Sequence, residues 1–314
     1  MTPSESHIDI LGGMQSIRRV FVTGATGFVG RAVVQALRAE GCVVRCLVRR
    51  GSEHDLRGLG AIERVEGDVM ARQTLEEGIA GCHAVIHLVG VIREHRSVGV
   101  TFERVHTQGT VNILEAATAA SVSRFLHMSA LGTRPGARSR YHMTKWAAEE
   151  AVRSSPLPWT IFRPSVIYGR GDQFVTLLAR MIRSFTVVPV IGSGRQQVQP
   201  VPVEQVAQAF ARALTMDATV KHVYDVAGPE AVTLVDLLDR IGAAMARRRV
   251  RKLHVPVALV RPAARVMHRL PGFPLTPDQL LMLEENTTCD PGPFFSTFGL
   301  TPVPLNAGLR AMLG

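Results

Sequence analysis

Three glycines fall at positions i, i+3 and i+6 in Thr23-Gly24-Ala25-Thr26-Gly27-Phe28-Val29-Gly30. The segment Arg18-Arg19-Val20-Phe21-Val22, apolar from Val20, precedes them, and a helical pattern, Arg31 to Glu40, follows. The run reads as a short buried strand and the glycines as the turn that feeds it into a helix. One glycine permits the tight turn, one lets backbone approach a pyrophosphate, and one lets helix pack close on strand. Free N–H groups at the helix start then bind phosphate. Strand, glycine-rich turn and helix in this order are the setting that a dinucleotide site requires.

The rest of the chain agrees with that start. Strand patterns fall at 18–23, 42–48, 62–66, 84–89, 124–130 and 159–163, and helical ones near 28–40, 72–80, 101–121 and 141–154. Such alternation predicts an α/β fold with a doubly wound parallel sheet of Rossmann type. Ala84 to Val89 is apolar except for His87, and Phe125 to Met128 except for His127. Near-continuous apolar runs belong to strands covered on both faces. After residue 170 the pattern changes: helices are expected at 173–184, 204–214 and 233–246, short strands near 187–191 and 222–226, then proline-rich punctuation. We therefore divide the chain into a loose N-terminal extension (1–17), an NAD(P)-binding domain (18–170) and a smaller C-terminal substrate lobe (171–314) interleaved with it.

Tyr141 and Lys145 lie four residues apart at the start of an Ala- and Glu-rich helical run. The chain has three Tyr and three Lys against 33 Arg. Random placement would give Tyr-x-x-x-Lys only about 0.03 times, so the pair carries information. On a helix, i and i+4 share a face. An ammonium there lowers a tyrosine pKa toward neutrality, which suits proton transfer in a carbonyl–alcohol interconversion. The bland alternative is a surface tyrosine beside a solvated lysine.

Cofactor choice is read after the second strand. An acid there bonds the ribose hydroxyls of NAD, whereas arginine accommodates the 2′-phosphate of NADP. The chain has Leu47-Val48-Arg49-Arg50-Gly51-Ser52 and no carboxylate until Glu53. Arg49 and Arg50 favour NADP(H), with NAD(H) left open. Leu88, Val89 and Gly90 end the fourth strand, where ligands sit in open α/β sheets.

No window of 18 uninterrupted apolar residues occurs, and residues 1–17 do not resemble a secretion signal. Cys42, Cys46, Cys82 and Cys289 show neither metal spacing nor a disulfide framework, so reduced thiols in a cytoplasm are expected. No metal site is predicted. The net charge of +10 gathers in Arg247-Arg248-Arg249-Val250-Arg251-Lys252 and again at Arg261, Arg265, His268 and Arg269. No nucleic-acid-binding signature accompanies it. An acidic ligand, an anionic membrane surface or an acidic partner protein could each use this charge. The location expected is cytoplasmic, with attachment to the inner face of a membrane as the alternative.

With these motifs in hand, the chain resembles an extended or atypical short-chain dehydrogenase/reductase of the NAD-dependent epimerase/dehydratase type. The likeness covers nearly all of the chain after residue 17. It rests on Thr23 to Gly30, on Ser129 in Phe125-Leu126-His127-Met128-Ser129-Ala130, on Tyr141 and Lys145, and on Arg163-Pro164-Ser165-Val166-Ile167-Tyr168-Gly169. A narrower likeness, carried by His87 to Glu94, Val105 to Gly109, Ser129 to Gly132 and Arg163 to Phe174, is to the NADPH-binding accessory subunit of respiratory complex I and its bacterial relatives.

The resemblance implies roles. Tyr141 is the general acid/base, Lys145 lowers its pKa and holds the nicotinamide ribose, and Ser129 polarises the substrate carbonyl. Thr23, Gly24, Thr26, Gly27, Phe28, Val29 and Gly30 hold the pyrophosphate. Asp68 and Val69 meet the adenine, and Pro164 and Val166 line the nicotinamide side. As a turn former, Asp68 has a plainer role. Two departures fit the complex I subgroup: His106 stands where many members have Asn, and Ile86-His87-Leu88-Val89 is bulkier than the usual small-residue stretch. His87 and His127 are expected to be core histidines with satisfied ring nitrogens. Three readings stay open. One is an NADP(H)-dependent oxidoreductase or epimerase acting on a small, lipophilic or quinone-like molecule. The second is a nucleotide-holding accessory or assembly protein of a respiratory or quinone-related complex. The third is a redox-sensing regulator. The Ser129/Tyr141/Lys145 set favours catalysis, and the subgroup likeness favours the accessory role.

Overall fold

A computed structural model describes residues 19–52, 56–247, 249–267 and 275–314. The first part of the chain runs β1 (Arg19–Thr23), α1 (Phe28–Ala39), β2 (Val43–Val48), β3 (Glu63–Glu66), α2 (Arg72–Ile79), β4 (Ala84–His87), α3 (Gly109–Ala119), β5 (Arg124–Met128), α4 (Arg140–Ser154) and β6 (Trp159–Pro164). It continues through β7 (Ile167–Tyr168), α5 (Phe174–Ser184), β8 (Val187–Ile191), β9 (Gln197–Val198), β10 (Val201–Pro202), α6 (Val203–Ala213), β11 (His222–Val226), β12 (Val232–Thr233) and α7 (Leu234–Ala244). It closes with β13 (Arg251–Val255), α8 (Val257–Met267), α9 (Pro277–Leu283), α10 (Gly292–Phe298) and α11 (Leu305–Leu313). The extension 1–17, Glu53, His268 and Arg269 lie outside the described residues.

Seven strands form one parallel sheet in the order β11-β6-β5-β4-β1-β2-β3. The doubly wound Rossmann-type sheet expected from the alternation is therefore present. Its strand order reverses between β1 and β4, and the carboxyl ends of those strands open the crevice where such sheets take ligands. Alternate residues explain the unbroken apolar runs. Val20, Val22 and Leu126 pack with Val33, Leu37, Phe210 and Phe298 on one face. Phe21, Val85 and Phe125 pack with Leu75, Ile113 and Val152 on the other. Each fully buried Val, Leu or Phe contributes about 1.5–3 kcal/mol.

Strand β11 lies beyond residue 170 yet pairs with β6, from His222 opposite Thr160 to Val226 opposite Pro164. A third, separate core joins β8 to α5, α7 and α11 through Val188, Val190, Leu178, Leu237, Ile241 and Leu309. One predicted element differs. The single helix expected over 101–121 begins as a π-helical turn, Glu103–Gln108, before α3. The wider turn carries His106, which is fully buried. Such bulges occur frequently at functional sites.

Candidate active site

The glycine turn follows β1 directly. Gly24 has φ +74°, and a Cβ there would meet the Leu88 carbonyl carbon at 3.0 Å and the Val89 nitrogen at 3.1 Å. It thus needs both a left-handed backbone and the close approach of the segment after β4. A Cβ on Gly30 would collide with the Gly24 carbonyl and lie 2.7 Å from Ala25 Cα. Gly27 is different: an added Cβ would meet only the Gly24 oxygen, at 3.2 Å. Gly27 is also the N-cap of α1, and no side chain caps that helix. A backbone cradle at an uncapped helix start fits a pyrophosphate.

Below the turn, polar side chains cross the sheet. In register, Thr23 lies opposite His87 and His87 opposite His127. The Thr23 hydroxyl meets His87 Nδ1 at 2.7 Å, and His87 Nε2 meets Thr110 Oγ1 at 3.1 Å. Thr110 donates to the His106 carbonyl at 2.6 Å. These partners assign the proton of His87 to Nε2. His106 Nδ1 meets Thr144 Oγ1 at 2.9 Å, and its Nε2 meets the Val91 nitrogen at 3.0 Å. Thr144 itself donates to the Arg140 and Tyr141 carbonyls, and His106 Nε2 lies equally close, at 3.0 Å, to the Val91 carbonyl oxygen. His106 thereby ties the loop after β4 to the start of α4.

His87 satisfies both ring nitrogens, as expected. His127 does not: it is 1 % exposed, stacks on His87 at 5.5 Å, and neither of its ring nitrogens has a partner. Burial, reinforced by the Lys145 charge, lowers His87 to about 3 and His106 to about 2, and holds His127 well below the usual histidine value. All three imidazoles are neutral.

Lys145 is buried at 2 % exposure, and its Nζ donates to the Met128 carbonyl at 3.0 Å and the Val89 carbonyl at 3.5 Å. The ammonium therefore joins α4 to the ends of β5 and β4. Met128 adjoins Ser129, whose hydroxyl meets Thr133 Oγ1 at 3.4 Å. Burial lowers Lys145 to about 8, against the opposing charge of Glu149 one turn along. Glu149 is fully buried and holds Arg163 through two bonds, of 2.8 and 2.7 Å, and Arg153 through a third.

Tyr141 sits one turn before Lys145. Its ring meets His106 edge-on at 5.2 Å and Phe102 at 6.0 Å. Burial pushes its phenol up to about 12. The lowered phenol that the four-residue spacing implied is thus corrected: the Lys145 hydrogen bonds go to two backbone carbonyls and not to the Tyr141 hydroxyl.

The remaining predicted residues fall around the same crevice or at its margin. The Leu88 nitrogen donates to the Thr23 carbonyl at 3.2 Å. Gly90 faces Lys145, whose Nζ would lie 3.1 Å from an added Cβ. Asp68 and Val69 follow β3. Asp68 Oδ1 accepts from the Met70 nitrogen at 2.9 Å, and the Val69 carbonyl accepts from Asn112. The turn-forming role of Asp68 is therefore realised. Arg49 and Arg50 are exposed after β2. The Pro164 carbonyl accepts from Leu131, and the Val166 carbonyl from Val201.

One contributor was not anticipated. Asp278, on α9, accepts from the backbone nitrogens of Arg140 at 2.7 Å and Tyr141 at 3.1 Å. Further ion pairs, Arg134 with Glu285 and Arg138 with Glu284, run alongside. Thr276-Pro277-Asp278-Gln279 shows a helix start in the sequence, and its capping box forms, but nothing in that pattern gives its long-range partner.

Residues 20–227 match the family described as the NAD dependent epimerase/dehydratase family. The chain belongs to that family. The match ends one residue after β11, where the sheet closes. The chain is 28% identical over 305 residues to the mitochondrial NADH-ubiquinone oxidoreductase 40 kDa subunit of Neurospora crassa, covering 94% of this chain and 79% of that one. It is 37% identical over 196 residues to a ceramide reductase of Caulobacter vibrioides, covering 62% and 61%. In structure it is similar to a dTDP-glucose 4,6-dehydratase from Streptomyces venezuelae with NAD bound, at TM-score 0.74 and 20% identity over 94% of this chain and 96% of that one. The likeness to short-chain dehydrogenases and to the complex I subunit is thus found by comparison as well as by motif. Among the described residues no helix is long and apolar enough to cross a membrane, and no cluster of His, Cys, Asp or Glu has the makings of a metal site.

Proposed function

We propose that the chain is an NADP(H)-dependent reductase of a carbonyl on a small, lipophilic molecule. The observation that carries this reading is Lys145, buried with its Nζ on the Met128 carbonyl, one residue from Ser129 and one turn from Tyr141. Burying an ammonium is costly, and groups held at such cost cluster at functional sites. The nicotinamide supplies the hydride when bound. Tyr141, a phenol at neutral pH, gives its proton to the carbonyl oxygen as charge develops there. Lys145 orients the ribose, and Ser129 donates a hydrogen bond to the same oxygen.

Gly24, Gly27 and Gly30, with Thr23, Thr26, Phe28 and Val29, form the pyrophosphate cradle. Asp68 and Val69 sit on the adenine side, Leu88, Val89 and Gly90 along the middle, and Pro164 and Val166 beside the nicotinamide. Exposed Arg49 and Arg50, with no acid before Glu53, support NADP(H) over NAD(H). The separate core of α5, α7 and β8 is the substrate lobe. The ceramide reductase relative supports a lipophilic carbonyl substrate. The test is NADPH oxidation against a panel of quinones, long-chain ketones, aldehydes and nucleotide sugars. Turnover of a lipophilic member confirms the reading; turnover of nucleotide sugars alone rejects it.

A second reading rests on the Neurospora relative, which aligns along 94% of the chain. In it the nucleotide is structural and the protein an accessory of a respiratory complex. If no panel member reacts, and Gly27→Val impairs respiration while Tyr141→Phe does not, this reading replaces the first.

A further inference from the structure

Strands β8 and β13 pair in parallel, with Val187 opposite Arg251, Pro189 opposite Leu253 and Ile191 opposite Val255. Val188 and Val190 point inward and are 1 % and 2 % exposed. Alternation places Val187, Pro189, Arg251 and Leu253 on the opposite face. Apart from Arg251 that face is apolar, and it is open: Val187 is 41% exposed and Leu253 60%. Phe185, just before β8, is 52% exposed, and Leu259, on the helix after β13, is 68% exposed. Scattered single apolar residues need no explanation, but four on one ribbon and its flanks do.

At the start of the same ribbon Arg183, Arg247, Arg249 and Arg251 line a cleft of about 340 Å³ with Phe185. Among the described residues none of these four arginines has an ion pair, although neighbouring Arg240 and Lys252 are paired with acids. Arg247 donates only to the Arg183 carbonyl. The unneutralised charge is of one sign and adjoins protruding apolar side chains.

We propose that this surface docks on an anionic phospholipid bilayer. The arginines take lipid phosphates, and Phe185, Val187, Leu253 and Leu259 enter the headgroup boundary. A protein partner would need a shaped, acid-bearing complement to a narrow ribbon; a deformable anionic surface needs none. The docked face also connects to the candidate site. Arg261 on α8 pairs with Glu284 at the end of α9, and Asp278 on α9 holds the backbone of Tyr141. Docking would thus bring the site to the layer in which a lipophilic substrate resides. The purpose of docking rests on the reductase reading, whereas its geometry does not.

The test is flotation of the full-length protein with vesicles of phosphatidylcholine alone, and of phosphatidylcholine with phosphatidylglycerol in equal parts. The protein should rise with the anionic vesicles only, and less so as salt screens the exposed charges. Arg249→Gln and Arg251→Gln should each lower partitioning about fivefold, the factor equivalent to ~1 kcal/mol per basic residue near a charged membrane. Leu253→Asp should abolish flotation. NADPH affinity, measured on the same variants, should stay unchanged and reports that they fold. The proposal is overturned if the wild-type protein ignores anionic vesicles, binds neutral ones equally, or loses nothing on substitution. It is equally overturned if Leu253→Asp dissociates an oligomer in the absence of vesicles, since the face is then a protein interface. No turnover enters the assay, so a failed reductase reading leaves its result standing.

Discussion

Asp278 and Tyr141 are 137 residues apart in sequence, yet a carboxylate oxygen of the first holds the backbone nitrogen of the second at 3.1 Å. The start of the helix carrying the candidate proton donor is therefore fixed by the C-terminal part of the chain. An anion at a helix N-terminus is also favoured by the helix dipole. Asp278→Ala should cost about 1 kcal/mol, the scale of a lost cap, and lower turnover; Asp278→Asn keeps one of the two acceptors and sets an amide NH2 against the other backbone N–H, so it should recover only part of either. Thermal denaturation and NADPH oxidation on the two variants check this.

The glycines should separate by phenotype. At Gly27 an added Cβ meets only the Gly24 carbonyl oxygen, at 3.2 Å, so Gly27→Val asks the turn to give by a few tenths of an ångström and should yield a folded protein that no longer binds nucleotide, because its side chain occupies the phosphate cradle. Gly30→Ala should destabilise by about 1–3 kcal/mol or more, since its Cβ overlaps the turn itself. Circular dichroism and nucleotide titration distinguish the two, and unchanged NADPH affinity in Gly27→Val would falsify the placement of the cradle.

NADPH should bind more tightly than NADH, and Arg49→Asp should reverse the order. Dissociation constants for both nucleotides decide it. Equal affinities would mean that neither arginine meets a 2′-phosphate.

Lys145 sets a pH dependence. Its folded value is lowered from 10.5 to about 8, so the ammonium is present below about 8 and lost above it. Carbonyl reduction should therefore fall as pH rises through about 8. The unfolded chain keeps that proton up to 10.5, so stability rises between these values as the folded protein sheds a costly buried charge. Accordingly, Lys145→Met should stabilise the protein without nucleotide by ~1–3 kcal/mol at neutral pH while abolishing turnover. A destabilised variant at neutral pH would show that the two carbonyl bonds outweigh burial.

Tyr141→Phe removes one oxygen and leaves the ring against His106 and Phe102. The reduction rate should fall by roughly two orders of magnitude or more, with NADPH affinity nearly intact. Stopped-flow measurement with the best member of the substrate panel tests this, and a rate within a few-fold of wild type removes Tyr141 from the chemistry.

Much of this was legible in the sequence because it is local. The β1–turn–α1 unit is contained in Arg19 to Ala39, and the apolar runs of β4 and β5 announce a doubly covered sheet. What escaped is long-range. The partner of Asp278 depends on how α9 folds back onto α4. The lowered tyrosine pKa failed because spacing places Lys145 on the right face but does not say which atoms its Nζ meets; two carbonyls take it. His127 looked like an ordinary core histidine, and its unpartnered ring nitrogens follow from what surrounds β5 in space. The π-helical turn is hidden because a helical pattern does not distinguish a locally widened turn.

Because β11 completes the sheet beside β6, the order of synthesis matters. A nascent chain that has released everything through Pro164 still carries β6 with one side unpaired, and only emergence of His222–Val226 seals it. Until then that backbone is a sticky border open to pairing with other chains. A fragment ending at residue 170 would keep this border for good and should be recovered as aggregate. One ending at residue 227 keeps all seven strands and should be the shortest N-terminal fragment worth expressing.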